Sequence, residues 1–269
     1  MSNFATRGVL LPAHLDRAEP AFSKVPEVTI GFWIIKILAT TLGETGGDAA
    51  SMSLNLGYAT SSLILIGVFA IAIIAQIAAR RFHPLLYWTV VVATTTAGTT
   101  MADFADRSLG IGYPGGASFL FVLLMASLAV WYWSEDSIAV NTVKGPRIET
   151  FYWVAILFSQ TLGTALGDWM ADSNSLGYER GAIAFGIGLA IVAGLYFWTN
   201  VSRTALFWAA FILTRPLGAT LGDLLDKPVA DGGFAVSRFQ ASAILAGLML
   251  ICIFVFPQRP GAHPGAKTD

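Results

Sequence analysis

Thr40-Thr41-Leu42-Gly43-Glu44-Thr45-Gly46-Gly47-Asp48 returns three more times along the chain. The later copies are Thr95-Thr96-Ala97-Gly98-Thr99-Thr100-Met101-Ala102-Asp103, Gln160-Thr161-Leu162-Gly163-Thr164-Ala165-Leu166-Gly167-Asp168 and Arg215-Pro216-Leu217-Gly218-Ala219-Thr220-Leu221-Gly222-Asp223. Their aspartates stand 55, 65 and 55 positions apart, so the two halves are offset by 120. Nine residues after each aspartate comes Gly57, Gly112, Gly177 or Gly232, followed by Tyr58, Tyr113, Tyr178 and, in the last copy, Gly233 and then Phe234. Two features in phase over four copies mark a duplication of an already duplicated unit.

Around these motifs the chain is apolar. Of 269 residues 55% are hydrophobic and 12% charged, half the charge of an ordinary soluble domain, and the mean hydropathy is +0.65. Apolar blocks of about 20 residues, the length that crosses a bilayer core, fall at about 28–50, 59–80, 84–106, 116–134, 148–172, 181–199, 203–226 and 236–256. The expected fold is an all-α integral membrane protein. Its eight transmembrane helices form four parallel two-helix repeats, at about 28–80, 84–134, 148–199 and 203–256, around a pseudo-fourfold axis. Residues 1–27 and 257–269 read as surface tails. Trp33, Trp88, Trp131, Trp133, Trp153, Trp198 and Trp208 fall near span ends, as an interfacial belt does.

Basic residues give the orientation. Arg7, Arg17, Lys24, Arg80, Arg81, Lys144, Arg147, Arg203, Arg259 and Lys267 fall on one side, and Arg107, Arg180, Lys227 and Arg238 on the other. The positive-inside rule then places both termini in the cytoplasm of a multi-pass protein of the bacterial inner membrane. A net charge of −1 provides no basic face for nucleic acid. With Cys252 the only cysteine and His14, His83 and His263 outside the apolar blocks, disulfide frameworks, zinc clusters and haem are disfavoured.

Each motif holds a small-x-x-x-small pair (Gly43/Gly47, Gly98/Ala102, Gly163/Gly167, Gly218/Gly222), which lets membrane helices approach closely. The aspartate lies one residue, about 100°, around from that seam. Polar stripes accompany it: Thr41, Glu44 and Asp48; Thr96, Thr99, Asp103 and Asp106; Thr161, Thr164, Asp168 and Asp172; then Asp223 and Asp226. Packing the odd spans on an axis would gather Glu44, Asp48, Asp103, Asp106, Asp168, Asp172, Asp223 and Asp226 at one end. Carboxylates that only ended helices would oppose the macrodipole there, and ionisable groups beside tight seams point to function. An all-oxygen cluster suits hard cations such as Mn²⁺, Mg²⁺ or Ca²⁺. Met101 and Met170 read as packing residues. Arg215 stands where the other copies have Thr40, Thr95 and Gln160, and reads either as an internal counter-ion that yields to a cation or as a permanent packing pair. Lys36, early in the first span, is expected to snorkel to the interface.

The repeated L-G-x-x-x-G-D with G-Y beyond it resembles an uncharacterised family of bacterial multi-pass proteins labelled only as membrane-anchored. The resemblance spans residues 28–256 and implies no activity. Glu44-Thr45-Gly46-Gly47-Asp48 is also similar to the Glu-x-Gly-Asp signature of cation/proton exchangers that export Mn²⁺ or Ca²⁺. The spacing differs by one residue, and only one copy has the glutamate. The expected function is export of a hard cation such as Mn²⁺, coupled to protons that clustered carboxylates share. The alternatives are an acidic-ring cation channel and a membrane sensor or scaffold. No nucleotide-binding motif or nucleophile–base pair argues for an enzyme, and no cofactor is expected beyond the bound or transported cation.

Overall fold

Turn chemistry and apolar runs cut the chain into helices close to the expected spans. The computed structural model describes residues 23–173 and 176–261, apart from the side chains of Thr142, Asp172 and Ser173. Within them lie α1 (Ile30–Asp48), α2 (Gly57–Ala78), α3 (Pro84–Asp103), α4 (Tyr113–Glu135), α5 (Pro146–Asp168), α6 (Gly177–Trp198), α7 (Arg203–Asp226) and α8 (Arg238–Val255). Thr29 and Ser202 cap α1 and α7 by accepting from Phe32 N and Ala205 N, while Pro84 and Pro146 open α3 and α5, where the missing N–H costs nothing.

Just after the repeated aspartate, three copies turn into a π-helical stretch: Ala49–Ser53, Phe104–Ser108 and Trp169–Ser173. Such turns are rare and gather at functional sites. In the fourth copy α7 runs on to Asp226 and the chain leaves it through Pro228. The repeated glycines 57, 112, 177 and 232 all hold φ between 72° and 87°, which explains why glycine recurs there.

The odd helices form a closed inner ring, α1 on α3, α3 on α5, α5 on α7 and α7 on α1. Outside it α2 packs on α3, α4 on α5, α6 on α7 and α8 on α1, so each even helix covers the odd helix of the next repeat. The motif glycines seat this ring. Thr95 fills the space above Gly43, Arg215 that above Gly163 and Thr40 that above Gly218. At Gly98 a Cβ would come within 3.2 Å of Gln160 Cβ. One residue type, at one position, serves the same contact in every copy.

Five helices, α2, α4, α6, α7 and α8, are long and apolar enough to cross a membrane. The other three, α1, α3 and α5, turn buried threonines and acids inward, which lowers their hydropathy without exposing them. Residues 23–27 and 257–261 are not free tails. Pro26 pairs with Pro260, Val25 is buried, and Lys24 binds Glu149 at 2.8 Å. Residues 1–22 and 262–269 lie outside the described part.

Candidate functional site

Four residues separate successive side chains on the axial face of each odd helix, so the ring is built in layers. The first layer holds Phe32, Tyr87, Tyr152 and Phe207, and the second Lys36, Val91, Ile156 and Phe211. Thr40, Thr95, Gln160 and Arg215 follow, then Glu44, Thr99, Thr164 and Ala219, and finally Asp48, Asp103, Asp168 and Asp223. All twenty of these side chains are at most 4% exposed. The axis is aromatic at one end and acidic at the other.

At the aromatic end, each first-layer ring packs on the tryptophan of the next repeat: Phe32 on Trp88, Tyr87 on Trp153, Tyr152 on Trp208 and Phe207 on Trp33, at 5.4, 5.6, 6.4 and 5.8 Å. The Tyr87 and Tyr152 hydroxyls meet at 2.7 Å. Edge-to-face and tilted contacts of this kind are favourable beyond the area they bury.

The acidic end is held together by basic side chains. Arg215 Nη2 donates to Glu44 Oε2 at 2.9 Å, to Thr99 Oγ1 at 2.6 Å and to Thr164 Oγ1 at 2.5 Å. Arg107 bridges Asp103 (2.9 Å) and Asp168 (3.4 Å). Lys227 bridges Asp48 (2.6 Å) and Asp223 (3.1 Å). Arg107 and Lys227 each stand four residues after the aspartate of their own repeat and reach the aspartate of the next. Repeats one and three carry Met52 and Asp172 at that position. Twofold charge pairing is thus laid over fourfold packing. Burial disfavours the charged form of Lys227, yet Asp223 and Asp48 outweigh it and hold its pKa above the ordinary lysine value. Arg238 adds a contact of 3.7 Å to Asp48 and one of 3.3 Å to Asp226, and Glu44, Asp48, Asp103, Asp168, Asp223 and Asp226 still outnumber Arg107, Arg215, Lys227 and Arg238. Carboxylate oxygens of Glu44, Asp48 and Asp223 lie within 4.8 Å of one another, and Asp48 Oδ1 has no hydrogen-bond partner among the described residues.

A family model described as Repeat of Unknown Function (DUF347) matches residues 31–82, 86–137, 151–202 and 206–256. The chain belongs to this repeat family. No curated protein and no solved structure matches it. Each DUF347 repeat contributes one odd helix, its acidic end and one even helix.

Several sequence expectations change in this frame. Asp106 does not join the axial carboxylates, because its carboxylate turns onto Gly116 in the first turn of α4, where the helix dipole favours an anion. Asp226 sits at the rim, 3.3 Å from Arg238. The Asp172 side chain lies outside the described part. Thr41, Thr96 and Thr161 donate to carbonyls of their own helices, at Ile37, Val92 and Leu157; Thr99 and Thr164 are the threonines that reach the charged layer. Lys36 does not snorkel. It is fully buried, donates to Gln160 Oε1 at 3.4 Å and lies 4.1 Å over the Phe211 ring, with no carboxylate partner among the described residues.

The tryptophan belt is also revised. Trp88, Trp131, Trp153 and Trp208 are buried in the inner aromatic cluster, while Trp133 and Trp198 are exposed at 79% and 85%. Arg107, Lys227 and Arg238, read from sequence only as loop charges, are the residues that sequence reasoning missed at the site. An in-phase signal existed for the aromatic layer, because an aromatic–Trp pair precedes every repeated aspartate by 16 and 15 residues.

Proposed function

We propose that all eight helices cross the bilayer, with both termini cytoplasmic in a bacterial inner membrane, and that the protein is a carrier exporting a hard divalent cation such as Mn²⁺ in exchange for protons. The observation that carries this reading is the convergence of buried carboxylate oxygens of Glu44, Asp48 and Asp223, with one oxygen of Asp48 unpartnered among the described residues. A protein interior does not retain such charge for stability alone, since hydrophobic replacement of buried ions is often neutral or stabilising. Three carboxylates with nearby hydroxyl and carbonyl oxygens match the preference of hard cations. Arg215 and Lys227 act as tethered counter-ions in the cation-free state and yield as the cation enters.

The aromatic layer favours a carrier over a channel. Tyr87, Tyr152, Phe32 and Phe207 fill the axis at one end, so passage requires a rearrangement rather than a standing pore. The test is uptake of Mn²⁺, Mg²⁺ and Ca²⁺ into proteoliposomes with and without an opposing pH gradient. Saturable flux that follows the proton gradient and is lost in Asp48→Asn supports the carrier. Absence of flux for every cation, or flux unchanged in Asp48→Asn, removes it.

A further inference from the structure

The four repeats leave four equivalent recesses at the aromatic end, each walled by one even helix and two odd helices. Chain segments fill three of them. Between α8, α1 and α3, Phe256 packs on Gly31 and Gln258 accepts from Trp88 Nε1 at 3.1 Å. Between α2, α3 and α5, Val25 is buried, and Lys24 joins the carbonyls of Gln76 and Ile77 to Glu149. Between α4, α5 and α7, Val140 and Val143 are buried, and the Ile138 carbonyl accepts from Trp208 Nε1 at 3.1 Å.

The fourth recess, between α6, α7 and α1, has no such segment among the described residues, because only residues 199–202 link α6 to α7. It is an apolar cleft of about 370 Å³ whose lining includes Trp33, Val192, Ala193, Phe207 and Arg203. Trp33 is partly exposed there, whereas its three counterparts are buried.

We propose that this cleft binds the acyl chain of an anionic phospholipid, with its phosphate at Arg203. The filled recesses define what fits: an apolar body beside the tryptophan and, in two of them, an acceptor for its indole N–H. The fourth adds a cation at the mouth. Arg203 stacks 4.4 Å from the Tyr196 ring and donates to the Tyr196 carbonyl. It has no carboxylate partner among the described residues, and a guanidinium keeps further N–H donors after one such bond. Volume and apolar walls match a small amphiphile site. This site stands apart from the acidic end, and its test needs no transport.

Native mass spectrometry of the full chain, released from detergent containing equal phosphatidylglycerol and phosphatidylcholine, measures it. The wild type should retain one phosphatidylglycerol, with a preference of about fivefold, as one basic residue near an anionic headgroup gives. Arg203→Gln should retain both lipids equally. Ala193→Trp, which fills the cleft from an exposed position, should retain neither while its melting temperature holds. Equal retention of the two lipids by the wild type, or unchanged retention in Ala193→Trp, overturns the proposal. So does a wild type that retains neither lipid and in which a photo-crosslinker at position 197 captures residues 1–22, making the N-terminal segment the occupant.

Discussion

Arg215 reaches from α7 to the neighbouring α1 to hold Glu44 at 2.9 Å, and neither side chain is more than 3% exposed. Gly163 makes this possible, since the stem of Arg215 fills the space a Cβ would take there. Removing one partner of a buried pair leaves the other uncompensated and costs about 3–5 kcal/mol. Arg215→Gln should therefore unfold at a lower temperature, and Arg215→Gln/Glu44→Gln should recover most of the loss. The single variant should also bind Mn²⁺ more tightly, because Arg215 stands beside a Glu44 oxygen; a positive charge about 5–8 Å from the ion at an effective dielectric of 20 opposes binding by about 2–3 kcal/mol, about thirtyfold or more. In a carrier, release becomes harder and flux slows; in a channel, flux rises. Calorimetry and proteoliposome flux on the same variant decide between them, and no change in either would reduce Arg215 to packing.

Lys227 and Arg107 make matching bridges, yet they predict different responses to metal. Lys227→Met removes the bridge between Asp48 and Asp223, leaving Asp48 with Arg238 at 3.7 Å; both aspartates belong with Glu44 to the group whose oxygens converge within 4.8 Å. Arg107→Met frees Asp103 and Asp168, outside that group. Both variants should melt earlier than the wild type. Both keep the converging carboxylates, but Lys227→Met should gain more stability from Mn²⁺ than Arg107→Met, since only it removes a cation from them; binding at a hundredfold excess over Kd is worth about 2.7 kcal/mol. Equal rescue of both variants, or rescue of neither, would argue against Lys227 as a stand-in for the cation.

The ring seams give a prediction independent of function. Ala at Gly163 meets Arg215 and the Pro216 ring, and Ala at Gly218 meets the Thr40 side chain and backbone. Overpacking of this kind costs about 1–3 kcal/mol. Gly67→Ala and Gly186→Ala, where a Cβ meets nothing within 4 Å, should be neutral or slightly stabilising in their helices. Thermal unfolding in detergent separates the two sets, and equal shifts would mean that the seams tolerate separation.

The eight helices and the repeat were legible because periodic composition and in-phase glycines are local signals. So was the axial position of Asp48, Asp103, Asp168 and Asp223, since a residue beside a small-residue seam must face the bundle. The pairing of Arg107 with Asp168 and of Lys227 with Asp48 was not. Each joins residues 61 or 179 positions apart, and a base after a span end looks like any loop charge until the ring closes. Lys36 misled for a related reason: its counterparts Val91, Ile156 and Phe211 are apolar, so its layer carries no polar pattern to mark it as axial.

The aromatic layer offers the sharpest test of how the axis is closed. Phe32 and Phe207 lie 6.3 Å apart, and the Tyr87–Tyr152 hydroxyl bond spans the other pair of repeats. Phe32→Ala/Phe207→Ala removes two rings beside a layer that keeps its hydrogen bond, and each buried Phe→Ala change costs about 3–5 kcal/mol. The variant should melt well below the wild type, so flux is measured at a temperature where circular dichroism shows the helices intact. If this layer is the barrier, cation flux becomes less saturable and loses its dependence on the pH gradient, because passage no longer waits for a rearrangement. Tyr87→Phe keeps the ring and removes one hydroxyl, and should weaken closure while leaving coupling in place. A Phe32→Ala/Phe207→Ala protein that is folded and still fully coupled would place the barrier elsewhere along the axis, at the Lys36 or Arg215 layer.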